Sequence, residues 1–295
     1  LDPVWGGLGT GMKFPQVSVF RFLLQSGDPK AIAAVLKTCR HMMDGGIYDQ
    51  VMGGFHRYAV DREWLVPHFE KMLYDQAQLM ELYLDAWQVT GEEKFREVVV
   101  GIADYVLREL THPEGGFYCA QDAQSEGKEG KCFCWTEKEL IALLTSEEMK
   151  VAREILGVSE KGNFIDQSDP EPLPNQNILS FKKSRKDLSA SDKNLVAGIF
   201  EKLAVVRGKR VPPAIDDKIL ASWNGLMIGA MARTGRVLHE PKYLKAARKS
   251  HDFIKGKFWD AKSKRLAHRW REGDRDDSAQ AQSYLLFLGG TRKLY

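Results

Sequence analysis

The chain has 295 residues, of which 43% are apolar, and a formal net charge of +3 with both signs mixed along its length. These values predict a globular protein with a substantial core, and they give no reason to expect a nucleic-acid partner. The apolar runs are too short to cross a membrane. Four cysteines in a chain of 295 residues do not indicate a secreted disulfide framework, so we expect reduced thiols and a cytoplasmic location. Cys132-Phe-Cys134 offers only two ligands, so we predict no metal site and no cofactor.

In chain order, apolar periodicity predicts pairs of helices. Asp28 followed by Pro29 is a helix-start signal, and the helix after it, 30–43, has one apolar face. The next pattern, 70–90, is apolar on most sides, so we expect this helix to be buried. By contrast, 92–110 has one apolar and one charged face, which is typical of an outer, half-solvated helix.

The start of the buried helix carries several charged side chains. Pro67 fits just inside a helix start, which predicts that His68, Glu70 and Lys71 occupy the first turn. Charged groups at one end of a buried helix suggest the floor of a pocket. The alternative is that they only cap and solvate the helix end.

The pattern is repeated along the chain. Glu70-Lys71-Met72-Leu73 returns as Asp217-Lys218-Ile219-Leu220, and an outer amphipathic helix at 241–256 follows the second copy, as 92–110 follows the first. Lys13-Phe14 opens a similar unit ahead of 30–43, and 278–295 begins a further inner helix. A repeat of helical hairpins predicts a helical array, either an open solenoid or a closed ring.

An insertion at about 119–215 separates two of these repeats. Cys119 to Trp135 predicts a two-stranded excursion around a charged loop, and Thr136 with Glu139 forms a capping box that opens a helix at 137–144. Ser146 is the predicted cap of a second short helix. A proline-containing loop at 160–190 and a helix at 191–206 complete the insertion.

Several long motifs in a fixed order resemble one family. They are Gly54-Phe55-His56-Arg57-Tyr58, the run from Pro67 to Gln76, Gly115-Gly116-Phe117-Tyr118 with Asp122-Ala-Gln-Ser125-Glu126-Gly127, and the run from Asp217 to Met227. Together they resemble the spermatogenesis-associated protein 20 family of thioredoxin-domain-containing proteins, over essentially the whole chain.

The resemblance implies an all-α fold, an (α/α)6 toroid of the six-hairpin glycosidase-like kind, with residues 1–295 forming an incomplete toroid that carries the small strand and loop insertion. It also implies an N-terminal thioredoxin-like domain and C-terminal hairpins that are absent from this sequence. Two residues depart from the family pattern, because Gln124 and Gln282 stand where acids are expected.

Repeat-equivalent residues at the starts of inner helices are expected to meet at the mouth of a funnel. Two carboxylates there could act as acid and base, or acid and nucleophile, on a glycosidic bond. The histidines could serve as proton acceptors in an epimerase, and the aromatic residues could stack on sugar rings. The catalytic candidates are Glu70, Asp122 and Asp217. The substrate-binding candidates are His56, Arg57, Tyr58, Trp64, His68, Lys71, Asp75, Lys218, Trp223 and Asn224.

Two functional hypotheses follow. The first is a carbohydrate-active domain, resembling a glycoside hydrolase or a sugar 2-epimerase, with a sugar or other small molecule as substrate. The second is a non-catalytic binding or scaffold module whose partner is the thioredoxin-like domain of the full-length protein, in which the repeated acid–lysine pairs only join helix ends. A redox role has no support, because the chain lacks Cys-x-x-Cys.

Overall fold

The computed structural model describes residues 1–295, which form ten α-helices joined by short strands and loops. The helices are α1 (Val17–Leu24), α2 (Pro29–Asp44), α3 (Leu73–Thr90), α4 (Glu93–Glu109), α5 (Glu137–Leu143), α6 (Ser146–Glu154), α7 (Ala190–Arg207), α8 (Ala221–Val237), α9 (Pro241–Phe258) and α10 (Ala281–Leu294). No helix is both long and apolar enough to span a membrane.

Twelve strands of two or three residues lie between the helices, and every pairing is antiparallel. They are β1 (Tyr58–Ala59), β2 (Pro67–His68), β3 (Lys71–Met72), β4 (Ala120–Gln121), β5 (Gln124–Ser125), β6 (Lys128–Glu129), β7 (Ile215–Asp216), β8 (Ile219–Leu220), β9 (Trp259–Asp260), β10 (Arg265–Leu266), β11 (Arg269–Arg271) and β12 (Asp274–Asp276). The pairings are β1–β2, β3–β4–β7, β5–β6, β8–β11–β12 and β9–β10.

The chain folds into two compact units, each assembled from separate stretches of sequence. The first unit comprises Leu1–Gln16, Leu23–Glu70 and Asp122–Ala214. The second unit comprises Val17–Phe22, Lys71–Gln121 and Ile215–Tyr295.

The first unit contains α2, the β1–β2 and β5–β6 hairpins, and helices α5, α6 and α7. Thr136 and Thr145 each form a capping box with the Glu three residues later. The two side chains of each box accept hydrogen bonds from backbone N–H groups at the starts of α5 and α6. Thr145, and not the predicted Ser146, is therefore the cap of α6. A cluster of buried apolar side chains, including Trp135, Leu156 and Leu203, joins α5, α6 and α7.

The second unit is built from helical hairpins. Helix α8 packs against α3 on one side and α10 on the other, while α4 packs on α3 and α9 packs on α8. Helix α3 buries residues around most of its circumference, whereas α4 buries one face. This difference confirms the assignment of α3 as an inner helix and α4 as an outer helix from apolar periodicity.

The start of α3 differs from the prediction. Residues 71–72 are extended and pair with β4, and 67–68 pair with β1, so the helix begins at Leu73. His68, Glu70 and Lys71 therefore precede the helix and do not occupy its first turn. The reason is that their backbone groups pair between strands, a long-range interaction that the local Pro67 signal does not reveal.

Ion pairs around the buried Glu81 join four helices of the second unit. Glu81 of α3 has a side chain only 6% exposed, and it lies 2.9 Å from Arg21 of α1, 3.5 Å from Arg233 of α8 and 2.8 Å from Lys293 of α10. Asp85, one turn later, pairs with Arg21 and Arg233. Burial by itself would raise the pKa of Glu81, but the three cations outweigh it and hold that pKa below its ordinary value.

We expect Glu81→Gln to destabilise the protein by about 1 to 3 kcal/mol, because Lys293 loses the Glu81 carboxylate and Arg21 and Arg233 keep only Asp85, while the partial exposure of the three cations reduces the loss. The lowered pKa adds a pH dependence: the stability from ionised Glu81 is present above its ordinary pKa of 4.5 and is lost as pH falls through the lowered value. Urea unfolding of wild type and Glu81→Gln should therefore converge on acidification. Glu97→Gln, at an exposed position of α4, is the control. An equal loss of unfolding free energy in both variants would contradict the prediction.

Helices α8 and α10 cross at a pair of glycines. A Cβ at Gly290 would overlap the backbone of Gly225, whereas a Cβ at Gly289 would meet no atom within 4 Å. We expect Gly290→Ala to cost about 1 to 3 kcal/mol through overpacking. Gly289→Ala should be neutral or stabilising by up to about 1 kcal/mol, since alanine is the better helix former. Thermal melting of both variants tests this, and equal melting temperatures would refute the close crossing.

Candidate functional site

The β1–β2 hairpin of the first unit places Tyr58 directly opposite His68. Its turn is organised by Asp61, whose carboxylate accepts the backbone N–H groups of Glu63, Leu65 and Val66. Trp64 in this turn is completely buried, and its indole N–H donates to the carbonyl of Trp5 at 3.0 Å. Trp64 therefore anchors the hairpin from within the core, a placement that favours a structural role.

Three rings form a stack beside this hairpin. Phe14 stacks on Tyr58 with centroids 4.6 Å apart and an interplanar angle of 28°, and Tyr58 stacks on His68 at 5.1 Å and 25°. Phe14 is 42% exposed. The stack is therefore accessible from solvent at its Phe14 end.

The imidazole of His68 lies between two carboxylates. Its Nδ1 is 2.9 Å from Oε1 of Glu129, and its Nε2 is 3.7 Å from Oε2 of Glu70. Arg57 donates to the same Glu70 oxygen at 2.9 Å, and the two backbones also hydrogen-bond. We call Arg57, His68, Glu70 and Glu129 the acid–histidine cluster. Its side chains are between 19% and 40% exposed, so a ligand can reach them.

The hydrogen bond to Glu129 raises the pKa of His68, the charges of Glu129 and Glu70 add to this, and burial and the charge of Arg57 oppose it. The charged imidazole is thus favoured in the folded state. Its contribution to stability is fully present below the ordinary pKa of 6.5 and is lost as pH rises through the raised value. Around neutral pH, His68 is held closer to its acid form than a free histidine.

His56 occupies a different environment. It is 2% exposed, its Nδ1 lies 2.8 Å from the carbonyl oxygen of Phe69, and its ring packs edge-on against Phe69 and Phe133. A cavity of about 20 Å³ adjoins it, beside the buried ion pair of Arg207 and Asp49. A cavity of this size has room for about one water molecule, so the enclosure of His56 favours a structural role.

Asp122 is exposed at the base of the β5–β6 hairpin. Its backbone N–H donates to the carbonyl of Ala214, and its carboxylate accepts the backbone N–H of Gln124 at 3.2 Å. This geometry initiates the turn that leads to Glu129.

In the second unit, Asp217 and Lys218 lie beside β8. Asp217 pairs with Arg271 at 2.6 Å, and Lys218 pairs with Asp216 at 3.1 Å. Burial raises the pKa of the nearby Tyr118 phenol, and the charges of Asp217 and Glu272 add to this. Since Glu70 belongs to the first unit and Asp217 to the second, their predicted convergence stays a prediction.

The remaining candidates of the second unit are more enclosed. Lys71 is 1% exposed, with its ammonium group 4.4 Å from the centre of the Tyr105 ring. Asn224 is fully buried, donates to the carbonyls of Phe117 and Leu220, and accepts the N–H of Phe117. That geometry favours a structural role for Asn224, which joins the start of α8 to the Gly115-Gly116-Phe117-Tyr118 segment.

The other two candidates occupy the starts of inner helices. Asp75 is buried in the first turn of α3. The Trp223 ring packs edge-on against Tyr74 at 4.8 Å.

Sequence reasoning missed Glu129 and Phe14. Glu129 lies in the charged loop already singled out, but no local signal distinguishes it from Glu126. Phe14 adjoins the repeated Lys13, and only the pairing of Lys13 with Ala59 brings it to Tyr58. No group of three or more His, Cys, Asp or Glu side chains is arranged to hold a metal ion.

Comparison with known proteins places this geometry in context. No family model matches the chain. Spermatogenesis-associated protein 20 from Homo sapiens is 38% identical over 297 residues, which cover 90% of this chain and 38% of the human protein. The Mus musculus protein of the same name is 37% identical over 296 residues, with the same coverage. The chain thus spans less than two-fifths of the length of these relatives.

Two solved structures share the fold at low sequence identity. A glycoside hydrolase family 76 mannosidase from Bacteroides thetaiotaomicron matches with a TM-score of 0.50 and 10% identity, over 95% of this chain and 52% of that one. Unsaturated glucuronyl hydrolase from Bacillus sp. GL1 matches with a TM-score of 0.52 and 10% identity, over 94% of this chain and 52% of that one.

These neighbours confirm the predicted fold class, an incomplete all-α toroid of the six-hairpin glycosidase-like kind with small strand insertions. Over 90% of its length, the chain is homologous to spermatogenesis-associated protein 20, which confirms the resemblance seen in its motifs.

Proposed function

We propose that this chain is a carbohydrate-active enzyme domain that binds a sugar beside His68 and transfers protons there. One observation carries the proposal: a solvent-accessible aromatic stack ends on an imidazole held between two carboxylates. Sugar binding needs a broad apolar face, and sugar chemistry needs paired proton donors and acceptors. The acid–histidine cluster and its stack supply both within one unit.

The binding half of the proposal rests on Phe14 and Tyr58. Aromatic rings offer an apolar surface that matches the C–H face of a pyranose, while polar groups at the rim hydrogen-bond its hydroxyls. Arg57 provides such a polar group next to the stack, and Tyr58 adds its phenol. We therefore propose that one ring of an oligosaccharide contacts Phe14, while a neighbouring ring beside the stack presents its reacting carbon to His68.

The chemical half rests on His68 and Glu70. A histidine with a raised pKa is suited to donate a proton, and a carboxylate next to it is suited to accept one or to stabilise positive charge. Glycoside hydrolysis and epimerisation at the carbon next to a carbonyl both require this division of labour. The names of the fold neighbours, a mannosidase and an unsaturated glucuronyl hydrolase, support a sugar as the substrate class.

A second candidate function is a scaffold that binds a thioredoxin-like domain of the full-length protein. It is favoured by the mutual pairing of the charged residues: Arg57 with Glu70, Asp217 with Arg271, and Lys218 with Asp216. Ion pairs of this kind can hold strands and helices in place without taking part in catalysis. The two candidates differ in what happens when one carboxylate is neutralised.

The enzyme proposal predicts that Glu70→Gln abolishes turnover of manno-oligosaccharides or unsaturated glucuronyl disaccharides, with little change in melting temperature. The Arg57–Glu70 pair is partly exposed and contributes only about 0 to 1 kcal/mol to stability. Glu63→Gln, at an exposed glutamate of the same unit, should retain full turnover. Chromatography of products and calorimetric melting provide the measurements. A marked loss of stability in Glu70→Gln, with sugar binding intact, would favour the scaffold.

Proton nuclear magnetic resonance in deuterium oxide separates the two chemistries. Epimerisation through proton abstraction replaces a substrate C–H by C–D, whereas hydrolysis releases new reducing ends without such exchange. We expect one of these signals in wild type and its loss in His68→Gln. Absence of both signals over the sugar panel would refute the enzyme proposal.

Phe14→Ala should weaken sugar binding by about tenfold, because it removes the exposed end of the stack. Phe22→Ala is the matched control, since Phe22 is also a surface phenylalanine, 73% exposed. Isothermal titration of both variants with the same oligosaccharide gives the comparison. Equal affinities would show that the stack is not the sugar platform.

A further inference from the structure

The position of Glu129 determines which nitrogen of His68 can exchange a proton. Glu129 accepts from Nδ1, and this leaves Nε2 on the side of Glu70. In neutral His68 the hydrogen then sits on Nδ1, and Nε2 has the free lone pair. A carboxylate that holds an imidazole in this way fixes its tautomer and ring orientation.

Glu129 is itself held at two points. Its Oε1 also accepts the backbone N–H of Phe69 at 3.1 Å, which ties it to the residue that follows His68. It lies on β6, paired with β5 through a turn in which Glu126 and Gly127 have φ of 53° and 74°. A hairpin with two residues per strand has little stability of its own.

The stability of this hairpin must therefore come from outside it. Lys128, the residue before Glu129, reaches a loop of the same unit: its ammonium group lies 2.8 Å from Oδ2 of Asp169 and donates to the carbonyl of Glu171 at 2.8 Å. The Asp169 side chain is only 11% exposed. The anchor consequently joins a largely enclosed carboxylate to the strand that carries Glu129.

We infer that Glu129 is a positioning residue for His68, and that the Lys128–Asp169 ion pair holds the β5–β6 hairpin where Glu129 can perform this role. The loop around Asp169 thereby becomes part of the site, although it does not contact His68. The catalytic meaning of this inference rests on the proposed function, but the positions of Glu129 and Lys128 relative to His68 can be tested without a substrate.

The test uses nitrogen-15 resonances of His68 in the intact chain, followed against pH. In wild type we expect the Nδ1–H tautomer and a raised pKa. Glu129→Gln should lower the pKa of His68 towards its ordinary value and mix the tautomers, and Glu129→Asp should recover part of the effect. Unchanged His68 resonances in Glu129→Gln would overturn the inference.

The anchor is tested by Lys128→Gln, Asp169→Asn and the double variant. Each single change should shift His68 in the same direction as Glu129→Gln, and the double variant should add little, because both changes break one pair. Lys131→Gln is the matched control: it breaks the Lys131–Glu126 pair beside the same hairpin. Equal effects of Lys128→Gln and Lys131→Gln on His68 would overturn the anchoring role.

The two proposals fail separately. If no sugar binds but His68 responds to Glu129 and Lys128 as described, the proposed function fails and the positioning role stands. If sugars are turned over while His68 ignores Glu129, the enzyme proposal stands and the positioning role fails.

Discussion

Backbone pairing immediately before the inner helices is the constraint on which the structure depends. Lys13 bridges Ala59 ahead of α1, β3 pairs with β4 ahead of α3, and β8 pairs with β11 ahead of α8. Neither α3 nor α8 has a side-chain cap. The residues just before each helix are instead held by hydrogen bonds between strands that are distant in sequence.

This constraint explains why repeat-equivalent residues differ in chemistry. Lys13 and Lys71 are almost completely enclosed, and Lys13 pairs with the buried Asp2 at 2.9 Å. Lys218, at the corresponding place, remains 45% exposed beside Asp216. Lysine at this position is therefore buried in two repeats and exposed to solvent in the third, because different strands lie beside the start of each helix.

Stability and chemistry are divided between different charged groups. Glu81 with its three cations lies within the helices of the second unit, where loss of one charge leaves the others unbalanced. The acid–histidine cluster lies at the surface of the first unit, where the partly exposed Arg57–Glu70 pair is expected to contribute little to stability. A surface cluster that contributes little to stability is free to serve binding and proton transfer, and this supports the proposed function.

The sequence by itself determined most of the helices, the inner character of α3, the outer character of α4, the capping box at Thr136 and the family resemblance, because these depend on local periodicity and contiguous motifs. It also indicated His68, Glu70, Arg57 and Tyr58, which lie on one short stretch. Only the tertiary structure brought Phe14 and Glu129 to His68, and only it enclosed Lys71 and Asn224. Strand register and loop closure across many residues determine which side chains meet in a stack or an ion pair. Neither can be predicted from the spacing of side chains along the chain.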